Sequence, residues 1–299
     1  MIRSKLLTAI GGSGEGGNIY IGEKAFTAPG FYYWDVPLSV TRIHVCCIGA
    51  GAYNDYALTN TYDGGGGGGL VWANDIEVTP GDSLLVRVGN PEAGTGNNRH
   101  SSIGIPKENV QEFDEVFIEA YGGSSAGNGG SYDLNGRPGG GGIGGSGSSP
   151  TFINSQAEIW GGSGGGAAGY TGNGGAGAIG GDGVVTNSGA GGGSAGGITF
   201  WRLLTGQQNG FKQGGAGGGT GIKGIGADGS GRPAQSTGAN PVRGSEGSGG
   251  TGPDFGAGGA CLYNMSPSVA PDYATAGSGA VRIIWGIKYS YPNNADVTQ

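Results

Sequence analysis

The stretch GGSGGGAAGYTGNGGAGAIGGDG, residues 161–183, decides how this chain can fold. Glycine costs roughly 0.5–1 kcal/mol against alanine inside a helix or an ordinary strand, so a run this dense opposes both elements. Its spacing says more than its composition. Glycine falls at 166, 169, 172 and 175, and again at 174, 177, 180 and 183. The same interval recurs at 136, 139, 142 and 145, and at 215, 218, 221 and 224. A period of three belongs to the polyproline-II helix, which has three residues per turn and about 3.1 Å rise per residue. That helix makes no internal hydrogen bonds, so its N–H and C=O groups need neighbours. Copies without side chains can approach closely enough to satisfy one another, with Cα–H···O contacts as a supplement.

Working outward, 55 of the 76 glycines lie between Tyr121 and Ala280, and residues 122–278 are predicted to form a bundle of polyglycine-II helices. Disorder is the competing reading of a chain with 76 glycines and 13 prolines. Against it, the runs are short, they alternate with aromatic segments, and strand-like sequence brackets them. Collagen does not fit, because no triplet run persists and proline is scarce.

The bracketing sequence on the N-terminal side reads as strands. NIYIGEKAF, FYYWDV, VTRIHVCCIGAG, GLVWANDIEV, SLLVRVG and EVFIEAYG are rich in β-branched and aromatic residues. Turn chemistry separates them at Ala28-Pro29-Gly30 and Thr79-Pro80-Gly81. An antiparallel β-sandwich-like domain is therefore expected over 19–121, completed by GAVRIIWG at 279–286. In that last segment Val281, Ile283 and Trp285 alternate with Arg282 and Ile284, the pattern of a strand with one buried face. The expected fold class is all-β plus polyglycine-II, with little or no α-helix; the best helical window, Lys107 to Glu115, is short and polar. Residues 1–18 read as a docking peptide, with Leu6, Leu7 and Ile10 as its apolar part, followed by a flexible linker. Residues 287–299 read as an exposed tail.

Charge and motif exclude several functions. A formal net charge of −7 lacks the electrostatic footprint of a nucleic-acid or anionic-membrane binder. No apolar run approaches the roughly 20 residues that span a bilayer. Cys46, Cys47 and Cys261 make no disulfide framework, and adjacent Cys46 and Cys47 on a strand point to opposite faces as buried thiols. The G-x-G-x-x-G match at Gly64–Gly69 neither follows a strand nor opens a helix, as dinucleotide binding requires, and no Gly-Lys-Ser/Thr is present. His44 and His100 are isolated; His44, in mid-strand, reads as a hydrogen-bonded structural residue. The cysteines lack zinc spacing. No catalytic residue, metal or cofactor is nominated, and the chain reads as non-enzymatic.

Segments of different composition interrupt the glycine runs at 148–160, 198–213, 228–243 and 260–276. Where neighbouring glycine helices are joined end to end, these segments gather at the ends of the bundle. Their aromatics, Phe152, Trp160, Phe200, Trp201, Phe211, Tyr263 and Tyr273, either pack those ends or form a recognition surface on a rigid scaffold, and for the loops together recognition is favoured. A further loop at 51–63 carries Tyr53 and Tyr56.

An ordered set of motifs then points to a family. FTAPG with the following Trp34 and Pro37, VCCIGAG, GGGGGGL at 64–70, VTPGDSLLVRVG at 78–89 and the closing GSGAVRIIWG together resemble the glycine-rich tail-fibre proteins of tailed bacteriophages. The distal adhesins of T-even-like phages are especially similar. The resemblance implies a polyglycine-II bundle whose intervening loops bind a host surface receptor, an outer-membrane protein or a surface polysaccharide. It implies location at a tail fibre or tail tip of the virion, with attachment to another virion protein through residues 1–18. The N-terminal β-rich part is longer than a simple attachment domain, and no fibre shaft or heptad run accompanies it. A virion decoration or tail-capping protein without receptor binding is the alternative.

Overall fold

Residues that alternate apolar and polar around Pro-Gly turns form two antiparallel sheets in the computed structural model. It describes residues 21–52, 63–91, 97–108, 110–148, 151–153, 158–160, 162–177, 212–213, 217–224, 255–258, 262–263, 276–286, 288–293 and 295. The first sheet holds β1 (Gly22–Phe26), β3 (Arg42–Ile48), β4 (Leu70–Glu77), β9 (Gly139–Gly142) and β14 (Ala280–Trp285), in the order β1-β14-β3-β4-β9. The second holds β2 (Gly30–Asp35), β5 (Ser83–Val88), β6 (Ser101–Pro106), β7 (Phe113–Ala120) and β8 (Tyr132–Asp133), in that order. Two short ribbons stand apart: β10 (Thr151–Ile153) with β11 (Glu158–Trp160), and β12 (Lys212–Gln213) with β13 (Leu262–Tyr263). Among the described residues the only helical turn is a 3-10 turn at Asn97–Arg99; Phe113 to Glu115, inside the helical window, belong to β7.

One apolar cluster draws on both sheets. Val45, Cys47, Val71, Val281 and Ile283 come from the first sheet, and Trp34, Leu84, Val86, Ile103 and Ile118 from the second. The rings of Trp34 and Trp285 lie 5.7 Å apart, and those of Phe26 and Tyr32 5.1 Å apart. The opposite face of the first sheet is also covered. Cys46, Ile48, Leu70, Ala280 and Ile284 pack there with Tyr170, Phe255, Tyr289, Tyr291 and Ala295. Cys46 and Cys47 thus face different clusters, both buried and free.

That second layer changes two expectations. β14 is buried on both faces, not one, because glycine segments and C-terminal residues cover its far side. Residues 288–293 and 295 do not form an exposed tail either, since Tyr289, Tyr291 and Ala295 are buried. Arg282, which the alternation assigned to solvent, is 1% exposed. Its Nε donates to Glu23 Oε2 at 2.9 Å, and its Nη1 donates to the Ile222 carbonyl at 3.2 Å and to the Tyr291 hydroxyl at 3.4 Å. Tyr170 Oη donates to the Gly221 carbonyl at 3.0 Å and accepts from Cys46 Sγ at 3.4 Å. Burial pushes the Cys46 thiol up to about 12.

The glycine segments join into a mesh of backbone hydrogen bonds. Its hub is Gly64–Gly69, which lies before residue 121. Gly64 and Gly67 N donate to the Ser148 and Gly145 carbonyls, while Gly66 and Gly69 N donate to those of Ser124 and Tyr121. The Gly65 and Gly68 carbonyls accept from Gly165 and Ala168, and those of Gly66 and Gly69 accept from Ala52 and Gly49. In each pair both sides step by three residues, so a given neighbour is met once every three residues of the hub. A Cβ added at Gly67 would sit 2.0 Å from the Gly166 carbonyl oxygen, and one at Gly64 would sit 2.0 Å from that of Ser163. Such distances leave no room for any side chain.

The period-three runs are not all continuous segments of this mesh. Gly136 sits in a turn at φ +78°, and Gly139–Gly142 pairs with β4 as a strand. The ring of Trp72 explains that strand: a Cβ at Gly140 would lie 2.8 Å from Trp72 Cζ2. The run from 166 to 175 folds back on itself around Tyr170 and Thr171, with Gly166 N donating to Gly175 O and Gly169 N to Gly172 O. Gly180, Gly183 and Gly215 lie outside the described residues.

Candidate functional site

The sheets orient the mesh. The segments at 49–52, 64–69, 143–148 and 276–279 directly continue β3, precede β4, continue β9 and precede β14, so all four meet the sheets at the same end. At the other end the chain leaves the mesh repeatedly. The departure and return points are tied to one another: Gly64 N to Ser148 O, Ser148 N to Ser163 O, Gly177 N to Ser146 O, Gly217 N to Gly258 O, Gly258 N to Gly165 O and Gly277 N to Ala257 O. Ser148 Oγ and Ser163 Oγ lie 3.0 Å apart and Ser163 N donates to Ser148 Oγ, a side-chain clasp beneath the point where β10 and β11 depart. This end therefore holds the described ends of the connections 53–62, 149–161, 178–216 and 259–275.

The connection 225–254 departs elsewhere. Before it, Ile222 lies against Arg282 and Tyr291 on the outer face of the first sheet, and Gly224 approaches the Pro292 carbonyl. The described residue before that connection, Gly224, thus lies away from the described ends of the other three variable segments.

Among the sequence-predicted residues, Phe152 pairs with Ile159 and Trp160 with Thr151 across β10 and β11, and Tyr263 pairs with Lys212 across β12 and β13. β11 runs beside β12, so the two ribbons that carry these three residues are neighbours. Phe200, Trp201, Phe211, Tyr273, Tyr53 and Tyr56 lie outside the described residues, as do Leu6, Leu7 and Ile10. Among the described residues no group of three or more His, Cys, Asp and Glu could hold a metal ion, and no helix is long and apolar enough to cross a membrane. His44 is buried, and its Nδ1 accepts from Asp75 N at 3.2 Å. His100 Nδ1 lies 3.3 Å from Glu119 Oε1, and Glu119 also pairs with Arg87 on the outer face of the second sheet.

Two features escape the sequence reading. The hub at Gly64–Gly69 had a signal, six successive glycines, but it stands inside strand-like text. The pin of Arg282, Tyr291, Tyr170 and Cys46 had none, because its members lie up to 245 residues apart in the chain and meet only through the covered face of β14. No protein-family model matches the chain, and no curated protein matches it.

Proposed function

We propose that the chain is a bacteriophage tail-fibre or tail-tip adhesin, a non-enzymatic virion protein that recognises a host surface receptor. In this reading the two sheets form a β-sandwich, and the glycine mesh is a bundle of polyglycine-II helices that carries recognition segments at its free end. The observation that carries the reading is the gathering of the described ends of four long connections at one end of the mesh, three of which contain strands of the paired ribbons. The three-residue step of the hub's partners supports the helix type, since polyproline-II geometry repeats every three residues.

The mechanism is preorganisation. The mesh is ordered when the chain folds, so the segments it holds lose less freedom on meeting a receptor. Several copies on one particle convert modest single affinities into durable attachment. Isolated protein should bind susceptible cells and not resistant ones, and Trp201→Ala, Phe211→Ala or Tyr263→Ala should weaken that binding with folding unchanged. Equal binding to both cell types would remove the receptor. Particles that lack the protein and still adsorb normally would favour a decoration role.

A further inference from the structure

We propose that Asn135 is a site of spontaneous covalent modification: its side-chain amide is displaced by the nitrogen of Gly136, which converts the residue to aspartate and isoaspartate as the protein ages. The inference rests on one turn and is independent of the display reading above. Four Asn-Gly pairs occur in the sequence, at 128–129, 135–136, 173–174 and 209–210, and the last lies outside the described residues. In each pair the glycine leaves its backbone nitrogen unshielded by a Cβ. The chemistry is the same in all of them. The glycine nitrogen attacks the asparagine Cγ, the Cγ–Nδ2 bond breaks, and ammonia leaves with the proton of the attacking amide. Water then opens the cyclic imide at either carbonyl, giving aspartate or, where the chain now runs through the side-chain carboxyl, isoaspartate. Nothing is oxidised or reduced, and water is the co-reactant.

Closing the imide requires the peptide between the two residues to rotate, so the hydrogen bonds on that peptide decide which pair reacts. At 128–129 the Asn128 carbonyl accepts from Ser124 N at 2.8 Å, and a Cβ at Gly129 would strike the Gly144 oxygen. At 173–174 the attacking atom itself, Gly174 N, donates to the Ile143 carbonyl at 2.8 Å, and Asn173 Oδ1 accepts from Ile143 N at 2.9 Å. Both pairs are fastened into the glycine mesh. Asn135 and Gly136 are instead the central residues of the turn from β8 to β9, both exposed, with φ of +47° and +78° as in a type I′ turn. Arg137 N donates to Leu134 O and closes the turn, a bond that spans the central peptide without holding it. Among the described residues no hydrogen bond is made by Asn135 O or Gly136 N, and a Cβ at Gly136 meets nothing within 4 Å. The product forms at a junction, because this turn crosses from the second sheet to the first. Asn135 N donates to Asp133 Oδ1, and Arg137 pairs with Glu115 and lies over the Phe117 ring. A new carboxylate therefore enters beside Asp133, and isoaspartate lengthens the backbone at the crossover.

The test holds the full chain in mildly alkaline buffer beside a sample unfolded in guanidinium chloride, and follows both by proteolysis and mass spectrometry. In the folded chain Asn135 should convert at least about tenfold faster than Asn128 and Asn173, the rate effect of first releasing their backbone bonds. In denaturant the three rates should converge. An isoaspartyl carboxyl methyltransferase should methylate the aged folded protein in the peptide that holds residue 135. Gly136→Ala, which the open space admits, should slow conversion at 135 and leave 128 and 173 unchanged, with near-ultraviolet circular dichroism checking that the variant is folded. Equal rates at the three sites in the folded chain overturn the proposal, since the mesh then gives no protection. An Asn135 that stays intact in the folded chain while it converts in denaturant also overturns it, making the turn a protected one.

Discussion

A missing Cβ is the smallest unit on which this architecture depends. Gly67→Ala would place a methyl group 2.0 Å from the Gly166 oxygen, which accepts a hydrogen bond from Gly145 N. Separating those segments should cost about 2–4 kcal/mol in chemical denaturation, through overpacking and lost backbone bonds. Gly136→Ala is the contrast, with nothing within 4 Å of the added atom and only the positive φ to oppose it, and it should cost about 1 kcal/mol. Equal losses would show that packing between segments is not what glycine provides. His44 gives the fold a pH dependence of known sign. Burial lowers its pKa, with the charge of Asp75 opposing only in part. The unfolded chain takes up a proton near pH 6.5 while the folded chain resists to lower pH, so the unfolded state binds more protons in that window. Stability should fall as pH drops from about 6.5 through the lowered folded-state value and then level off. His44→Asn, which keeps an acceptor for Asp75 N, should flatten denaturation midpoints between pH 7 and 5; an unchanged slope would place the dependence elsewhere.

Among the elements, β14 shows how far a pattern can be read. Its β-branched residues identify a strand in the sequence, and its place between β1 and β3 makes it the link from the glycine region back to the first sheet. Its burial could not be read, because Arg282 looks like a solvent-facing residue and becomes the centre of a buried network. Alternation reports side-chain direction, and it is silent on what covers each face. Arg282→Met should cost about 1–3 kcal/mol, since the Ile222 carbonyl loses a donor and Tyr291 loses a partner. Glu23→Gln should cost less, because the Glu23 side chain is 36% exposed and water screens its charge. Thermal denaturation together with hydrogen exchange at 221–224 measures both. A Glu23 variant as damaging as the Arg282 variant would mean that the ion pair, and not the carbonyl and hydroxyl contacts, holds the glycine segment to the sheet.

For the whole molecule, the direction in which the chain leaves the mesh separates segments that composition alone had grouped together. Replacing 264–275 by a short Gly-Ser linker should reduce binding of the isolated protein to susceptible cells by at least about tenfold, the scale of losing a cluster of binding anchors. Replacing 225–254 in the same way should leave binding unchanged, since that connection departs beside Pro292 and Arg282. Comparable losses from both would disconnect binding from the free end of the mesh. The sequence by itself determined that two kinds of backbone order are needed: β-branched and aromatic residues dictate pleated strands, and long runs without side chains dictate contacts that only bare backbone can make. It also placed Cys46 and Cys47 on opposite faces of one strand, because successive strand residues point apart. Only the tertiary structure decided that Gly64–Gly69 is the hub, that Gly139–Gly142 is a strand beneath Trp72, and which connections share an end. The physical reason is that glycines are interchangeable. With no side chain to match to a partner, a glycine segment cannot specify its neighbour or its register, and the side-chain-bearing elements at its ends decide both.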